Sequence, residues 1–163
     1  MANLTRHRDR ALARRSRKSG ESLTEYLAFV LAGEVYAVPI REVREILKVP
    51  PVTPVPRASA HVLGIVSVRG QLVTVIDLRR RLRIPVTPVT PRARILLTTS
   101  ADDEVVGLYV DEVLQVHRLS ESEIELAANV LGGQLADYIV GVGRPPGSLL
   151  VLIDLAPVIA RST

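Results

Sequence analysis

Apolar positions in this chain come in short runs rich in Val, Ile and Leu, and Gly, Pro or charged residues punctuate them. Val62 to Val68 and Leu72 to Ile76 are joined by Arg69-Gly70-Gln71 and stopped by Asp77. Runs this short, split at a Gly, predict a tight β-hairpin rather than a helix. Glu25 to Leu31 and Val35 to Ile40 flank Ala32-Gly33-Glu34 in the same way, and Arg94 to Thr98 and Val105 to Val110 flank the polar turn Ser100 to Glu104. A fourth hairpin is predicted from Ile139 to Val142 and Leu149 to Ile153. Pro39 argues for an edge or a bulge near its strand's end. Arg41 to Val49 is read as a strand with a bend, with one helical turn as the alternative. Pro50 to Pro56 and Ile84 to Pro91 are proline-punctuated connectors that fit neither a helix nor a central strand. Asp77 and Asp154 stand as N-caps of the short helical turns after them. Ser120 to Glu123 has the spacing of a capping box, which predicts a short helix over Glu121 to Val130 before the Gly132-Gly133 break.

The pattern repeats. A shift of 77 positions superimposes Gly64, Gly70, Leu72, Ile76, Asp77 and Leu78 on Gly141, Gly147, Leu149, Ile153, Asp154 and Leu155 without a gap. Val110-Asp111-Glu112-Val113 also matches Ile40-Arg41-Glu42-Val43 at an offset of 70. Each half therefore reads hairpin, connector, hairpin, and the chain contains a duplication. Short, regularly spaced strands with Gly and Pro turns predict an all-β fold of two barrels with about five strands each, the size of an SH3-like barrel.

Charge changes this picture only at one end. Met1 to Gly20 holds seven cations (Arg6, Arg8, Arg10, Arg14, Arg15, Arg17 and Lys18) against Asp9. The remaining residues carry 14 Lys and Arg against 16 Asp and Glu, so the body is slightly acidic and the basicity belongs to an arm. Residues 1–22 lack apolar periodicity and are expected to be disordered in isolation. Residues 23–163 form the folded part, with 23–90 as the first barrel and 91–163 as the second. The chain has no Cys, which removes disulfides, thiolate chemistry and Cys-based zinc sites. No apolar run reaches the roughly 18 to 20 residues of a membrane span, so a cytoplasmic protein without direct membrane insertion is expected. With one Phe and four Tyr the chain cannot supply a stacking platform for single-stranded nucleic acid, so any nucleic-acid contact is expected through the arm alone.

The order of residues in the body resembles the CheW family of bacterial chemotaxis coupling proteins. The resemblance runs from Tyr26 to Ile159 and is carried by Tyr36-Ala37-Val38, Ile40, Val43, Glu45-Ile46, Gly64-Ile65-Val66, Arg69-Gly70, Val75-Ile76-Asp77-Leu78-Arg79 and Val106-Gly107-Leu108. It implies two intertwined five-stranded barrels, so strands are expected to exchange across the 90/91 boundary. It also implies no catalysis and no cofactor. The role it implies is an adaptor that couples the cytoplasmic tip of a chemoreceptor to the regulatory domain of the histidine kinase CheA. Ser67-Val68, Thr74 and Ser59 depart from residues common in the family, and they flank the implied receptor surface. A nucleic-acid or nucleoid-associated barrel protein, binding through the basic arm, is the alternative.

The duplication sorts the candidate residues. Residues kept in both halves, Gly70/Gly147 and Asp77/Asp154, are explained by turn and cap chemistry. Arg69 faces Pro146, so the fold does not require a cation there, and Arg is enriched at binding hot spots. By the resemblance, Arg69 and Glu45 match a pair beside the receptor groove, and Val43 and Gly64 match receptor-contact positions. Asp77 and Asp154 also suggest an aspartic-protease dyad, but neither precedes the small residue and Gly that such sites need. His7, His61 and His117 lack metal-ligand spacing, and the run Arg79, Arg80, Arg81, Arg83 reads as a solvated turn.

Overall fold

All four predicted hairpins form in the computed structural model of the chain, which describes residues 22–127 and 137–160. β1 (Leu23–Leu31) and β2 (Glu34–Pro39) meet at a two-residue turn in which Ala32 (φ 49°) and Gly33 (φ 83°) are both left-handed. β4 (Val62–Val68) and β5 (Gln71–Asp77) turn in the same way through Arg69 (φ 49°) and Gly70 (φ 80°). Their link has two residues, not three, because Gln71 already pairs with Val68. Two positive φ values match the turn to the twist of the flanking strands. β6 (Arg94–Thr99) and β7 (Val105–Val110) form the third hairpin, and β10 (Ile139–Gly143) and β11 (Leu150–Ile153) the fourth. The last turn is built differently. Pro146 cannot take positive φ, so only Gly147 (φ 78°) does, and Ser148 N donates to Pro145 O at 3.0 Å in the type II manner.

Arg41 to Val49 combines both readings: a 3-10 turn at Ile40–Glu42 leads into β3 (Glu45–Lys48). Pro39 ends β2, a strand inside its sheet, so it marks a strand's end and not a sheet's edge. β8 (Glu112–Ser120) leads into the expected capping box, where Ser120 N donates to the Glu123 carboxylate at 3.2 Å. The box opens a 3-10 turn, Glu121–Glu123, but the chain then extends as β9 (Ile124–Leu126), so the expected helix is corrected over these residues. The rest of that helix, the Gly132-Gly133 break and most of the basic arm lie outside the described residues.

The strands assemble into a six-stranded sheet, β8-β1-β2-β11-β10-β9, and a five-stranded sheet, β3-β6-β7-β5-β4. Each sheet borrows the first hairpin of the other repeat: β1 and β2 join β8 to β11, and β6 and β7 join β3 to β5. Each borrowed hairpin is joined on both sides, by the antiparallel pairs β1 with β8 and β6 with β3 and by the parallel pairs β2 with β11 and β7 with β5. The connector after β3 returns to β4 through Thr53 and Ile65, whose N–O bonds of 2.9 and 2.8 Å form an isolated bridge. β9 occupies the corresponding place beside β10, so the sixth strand is a longer version of that bridge.

Three apolar clusters result from this arrangement. Tyr26, Ala28, Leu119, Leu150 and Leu152 fill the six-stranded sheet, and Val66, Val73, Val75, Ile95 and Leu97 fill the five-stranded one. Phe29, Leu31, Leu96, Leu108, Ile153 and Leu155 lie between the two sheets. Alternation along each strand sends one face to its own barrel and the other to this shared layer. Fully burying side chains of this size contributes about 1.5–3 kcal/mol each, so the shared layer binds the barrels into one unit. No helix among the described residues is long and apolar enough to cross a membrane.

Candidate functional site

β3 and β4 are the two edges of the five-stranded sheet, and one exposed ion pair connects them. Arg69, in the β4–β5 turn, donates from Nη1 to both carboxylate oxygens of Glu45 on β3, at 3.3 and 3.1 Å, and its Nη2 donates to Glu45 Oε2. The hydrogen bond and the charge of Glu45 push the Arg69 guanidinium further up. The side chains remain 63% and 40% exposed, and exposed pairs add little to stability. Stability therefore does not account for an arginine held at φ 49°, where a side chain crowds its own backbone. What the pair does is hold a cation and an anion in a fixed, planar, solvent-facing geometry.

Val43 lies two residues before Glu45, directly after the 3-10 turn, and Val43 N donates to Ile40 O at 3.0 Å. Its half-buried side chain packs on the layer between the sheets, as does Val113, its counterpart at the offset of 70. Gly64 is buried at a β-bulge with φ 155°. A Cβ there would stand 2.4 Å from Thr53 O, and one at Gly141 would stand 2.3 Å from Glu125 O. Both glycines let a connector close its barrel, which is a structural task. The structure thus brings Glu45 and Arg69 into contact and sets Val43 on the same segment, while Gly64 sits in the seam of that barrel.

Sequence reasoning missed a buried site and misjudged Arg79, which is only 2% exposed. Its guanidinium donates to Asp77 from Nε (3.1 Å) and Nη2 (3.0 Å), and from Nη1 to Asp111 (3.0 Å) and Thr87 O (2.8 Å). The Tyr109 ring lies 4.8 Å beneath it. Asp111 Oδ2 in turn accepts from Ala32 N at 2.7 Å. The cluster therefore ties the five-stranded sheet to a turn of the six-stranded one, at the point where β7 passes into β8. The available signal was the one that singled out Arg69: Ala156 stands in the place of Arg79 in the second repeat. Asp77 and Asp154 both cap as expected, accepting from Arg79 N (3.0 Å) and Ala156 N (3.3 Å). Each carboxylate is engaged within its own repeat, which does not make a proton-sharing dyad.

Comparison with known proteins places these features in a family. The CheW-like domain family model matches residues 25–163. The chemotaxis protein CheW of Bacillus subtilis is 32% identical over 146 residues, covering 90% of this chain and 91% of that protein. Protein FrzA of Myxococcus xanthus is 29% identical over 140 residues, covering 86% of this chain and 84% of its own. Among solved structures, the scaffolding protein TtCheW from Thermoanaerobacter tengcongensis matches with a TM-score of 0.76 and 26% identity. That match covers 84% of this chain and 92% of the other.

Proposed function

Because this chain belongs to the CheW-like family and is a chemotaxis adaptor, we propose that it couples the cytoplasmic tip of a chemoreceptor to the regulatory domain of the histidine kinase CheA. The observation that carries the receptor side is the Arg69–Glu45 pair: present in one repeat only, exposed, fixed in geometry, and set in a turn whose backbone would favour another residue. A helical receptor tip would lie along the β3 edge, with Val43 beside the pair and Arg69 and Glu45 as its polar anchors. The kinase domain, itself of this fold, would dock edge to edge on a barrel, so the kinase's activity depends on both contacts together. Such a protein works in the cytoplasm, by geometry and without a catalytic step.

A pull-down with a receptor tip fragment and a kinase regulatory domain, together and apart, tests this reading. Arg69→Glu sets two carboxylates against each other and is expected to lose the receptor fragment while retaining the kinase fragment. Retention of both by the folded variant would remove the pair from the receptor surface. The nucleic-acid reading through the basic arm finds no support in the matched relatives.

A further inference from the structure

The internal duplication leaves one site covered and its counterpart open. The offset of 77 sets Leu78, Arg79 and Leu82 opposite Leu155, Ala156 and Ile159. It also sets His61 opposite Tyr138, whose carbonyls accept from Asp77 N and Asp154 N, both at 2.9 Å. Over the first set the chain supplies its own cover. Ile84 N donates to Arg79 O at 2.7 Å, Ile84 packs on the layer between the sheets, and Thr87 accepts from the Arg79 guanidinium. Beside the second set lies a groove of about 930 Å³, floored by Ile76, Val106, Leu155 and Ile159.

The groove differs from its covered counterpart at two positions: Ala156 stands in the place of Arg79, and by the offset of 70 Arg41 stands in the place of Asp111. Asp77 has the guanidiniums of Arg79 and Arg80 on it, whereas Asp154 accepts only from Ala156 N and meets no cation within 4 Å among the described residues. Glu42, on the rim, is held above the ordinary carboxylate range by burial and by the charge of Asp154, against the opposing effect of Arg41. The rim carries Glu42, Asp102 and Glu104 against Arg41 and Arg44. An occupant that suits this groove is an extended segment with an aliphatic side chain for the floor and a guanidinium for Asp154 and Glu42.

The chain carries such a segment. The 21 residues preceding Ser22 contain seven Lys and Arg against two acids, with Leu4 and Leu12 as aliphatic anchors. They lead into β1 beside the groove, since Tyr26 lies within electrostatic reach of Arg41 and Glu42 on the rim. Leu12, ten residues upstream of Ser22, can lie up to about 33 Å away along an extended chain. We propose that residues 1–21 strap into this groove, with Leu12 against Leu155 and Ile159 and the guanidinium of Arg14 or Arg15 on Asp154 and Glu42. The strap is a property of this chain beyond its coupling role and does not rest on it.

The absence of Cys allows a clean test on the full chain, with a nitroxide placed through Ser16→Cys and amide signals read by NMR. At about 0.05 M salt the amides of Ile76, Val106 and Ile159 are expected to lose half or more of their intensity relative to the reduced label, and to recover at about 0.5 M. The amides of Ile84 and Thr87, over the covered site, should keep theirs. Asp154→Asn with Glu42→Gln should restore the groove signals without altering the rest of the spectrum, because Asn also caps a helix. Even broadening over the surface, none at all, or broadening centred on β3 would overturn the strap. So would equal broadening in a mixture of labelled chains with separate isotope-enriched, label-free chains, which would assign the groove to a second copy's arm.

Discussion

At the scale of single residues, the role proposed for Arg69 sets stability and binding against each other. Its φ of 49° suits Asn better than Arg, so Arg69→Asn is expected to raise the thermal midpoint slightly while weakening receptor binding on the order of tenfold. Parallel calorimetry and binding titrations would show the two moving in opposite directions, and a joint fall would make Arg69 structural. Arg79 behaves otherwise, because removing it strands the buried carboxylates of Asp77 and Asp111. Arg79→Ala is expected to cost about 3–5 kcal/mol in urea unfolding. Replacing the whole cluster at once, with Asp77→Asn, Arg79→Met and Asp111→Asn, should cost less than that single change. His61 contributes a pH dependence. Burial, and then the charge of Arg81, hold its imidazole below the ordinary 6.5. The unfolded chain therefore takes up a proton near 6.5 while the folded chain does not, so this stability is complete above about 6.5 and is lost as the pH falls below it. Thermal midpoints measured at about pH 7.5 and 5.5 should differ less in His61→Gln than in the parent, and an unchanged difference would assign the pH dependence elsewhere.

At the scale of elements, the seams decide whether the barrels close. Gly64→Ala forces a methyl group to within 2.4 Å of Thr53 O, so it is expected to cost about 2–3 kcal/mol and to speed amide exchange at Thr53 and Ile65. Receptor binding measured on this variant has meaning only after that loss is accounted for. Gly33→Ala, which meets no atom within 4 Å, separates the two costs, because it keeps only the strain of positive φ. The hairpins were legible in the sequence because each apolar run ends at a residue that turns the chain, such as Gly70 or Gly147. β9 was not, because Ser120 and Glu123 make the same reciprocal bonds at the start of a 3-10 turn as at the start of a helix, and only pairing with β10 selects the strand. Arg79 was hidden for a similar reason. Within Arg79-Arg80-Arg81 nothing local distinguishes the buried cation from the half-exposed Arg80, since burial is set by Asp111, 32 residues away. The Arg69–Glu45 contact was anticipated from the family resemblance and not from spacing, because strand order alone brings the two edges together.

At the scale of the whole molecule, neither repeat contains a complete sheet. A fragment of residues 22–90 holds β3, β4 and β5 without β6 and β7, and one of residues 91–160 lacks β1 and β2. Each fragment alone is expected to show no cooperative thermal transition, while the two mixed should regain one. Cooperative melting of either fragment by itself would mean that the exchanged hairpins are dispensable. The same exchange imposes an order of events on protein synthesis. β1 and β2 are complete at Pro39, yet their neighbours β8 and β11 are complete only at Ser120 and Ile153. At about 5–20 residues per second the first hairpin waits on the order of ten seconds with both edges unpaired. The other sheet is complete once Val110 has emerged, so the barrel bearing Arg69 and Glu45 is born first. Until Ile153 has emerged, each nascent chain on a polysome trails an open strand pair toward the next ribosome's copy, and the spacing of ribosomes on the message becomes a determinant of correct folding.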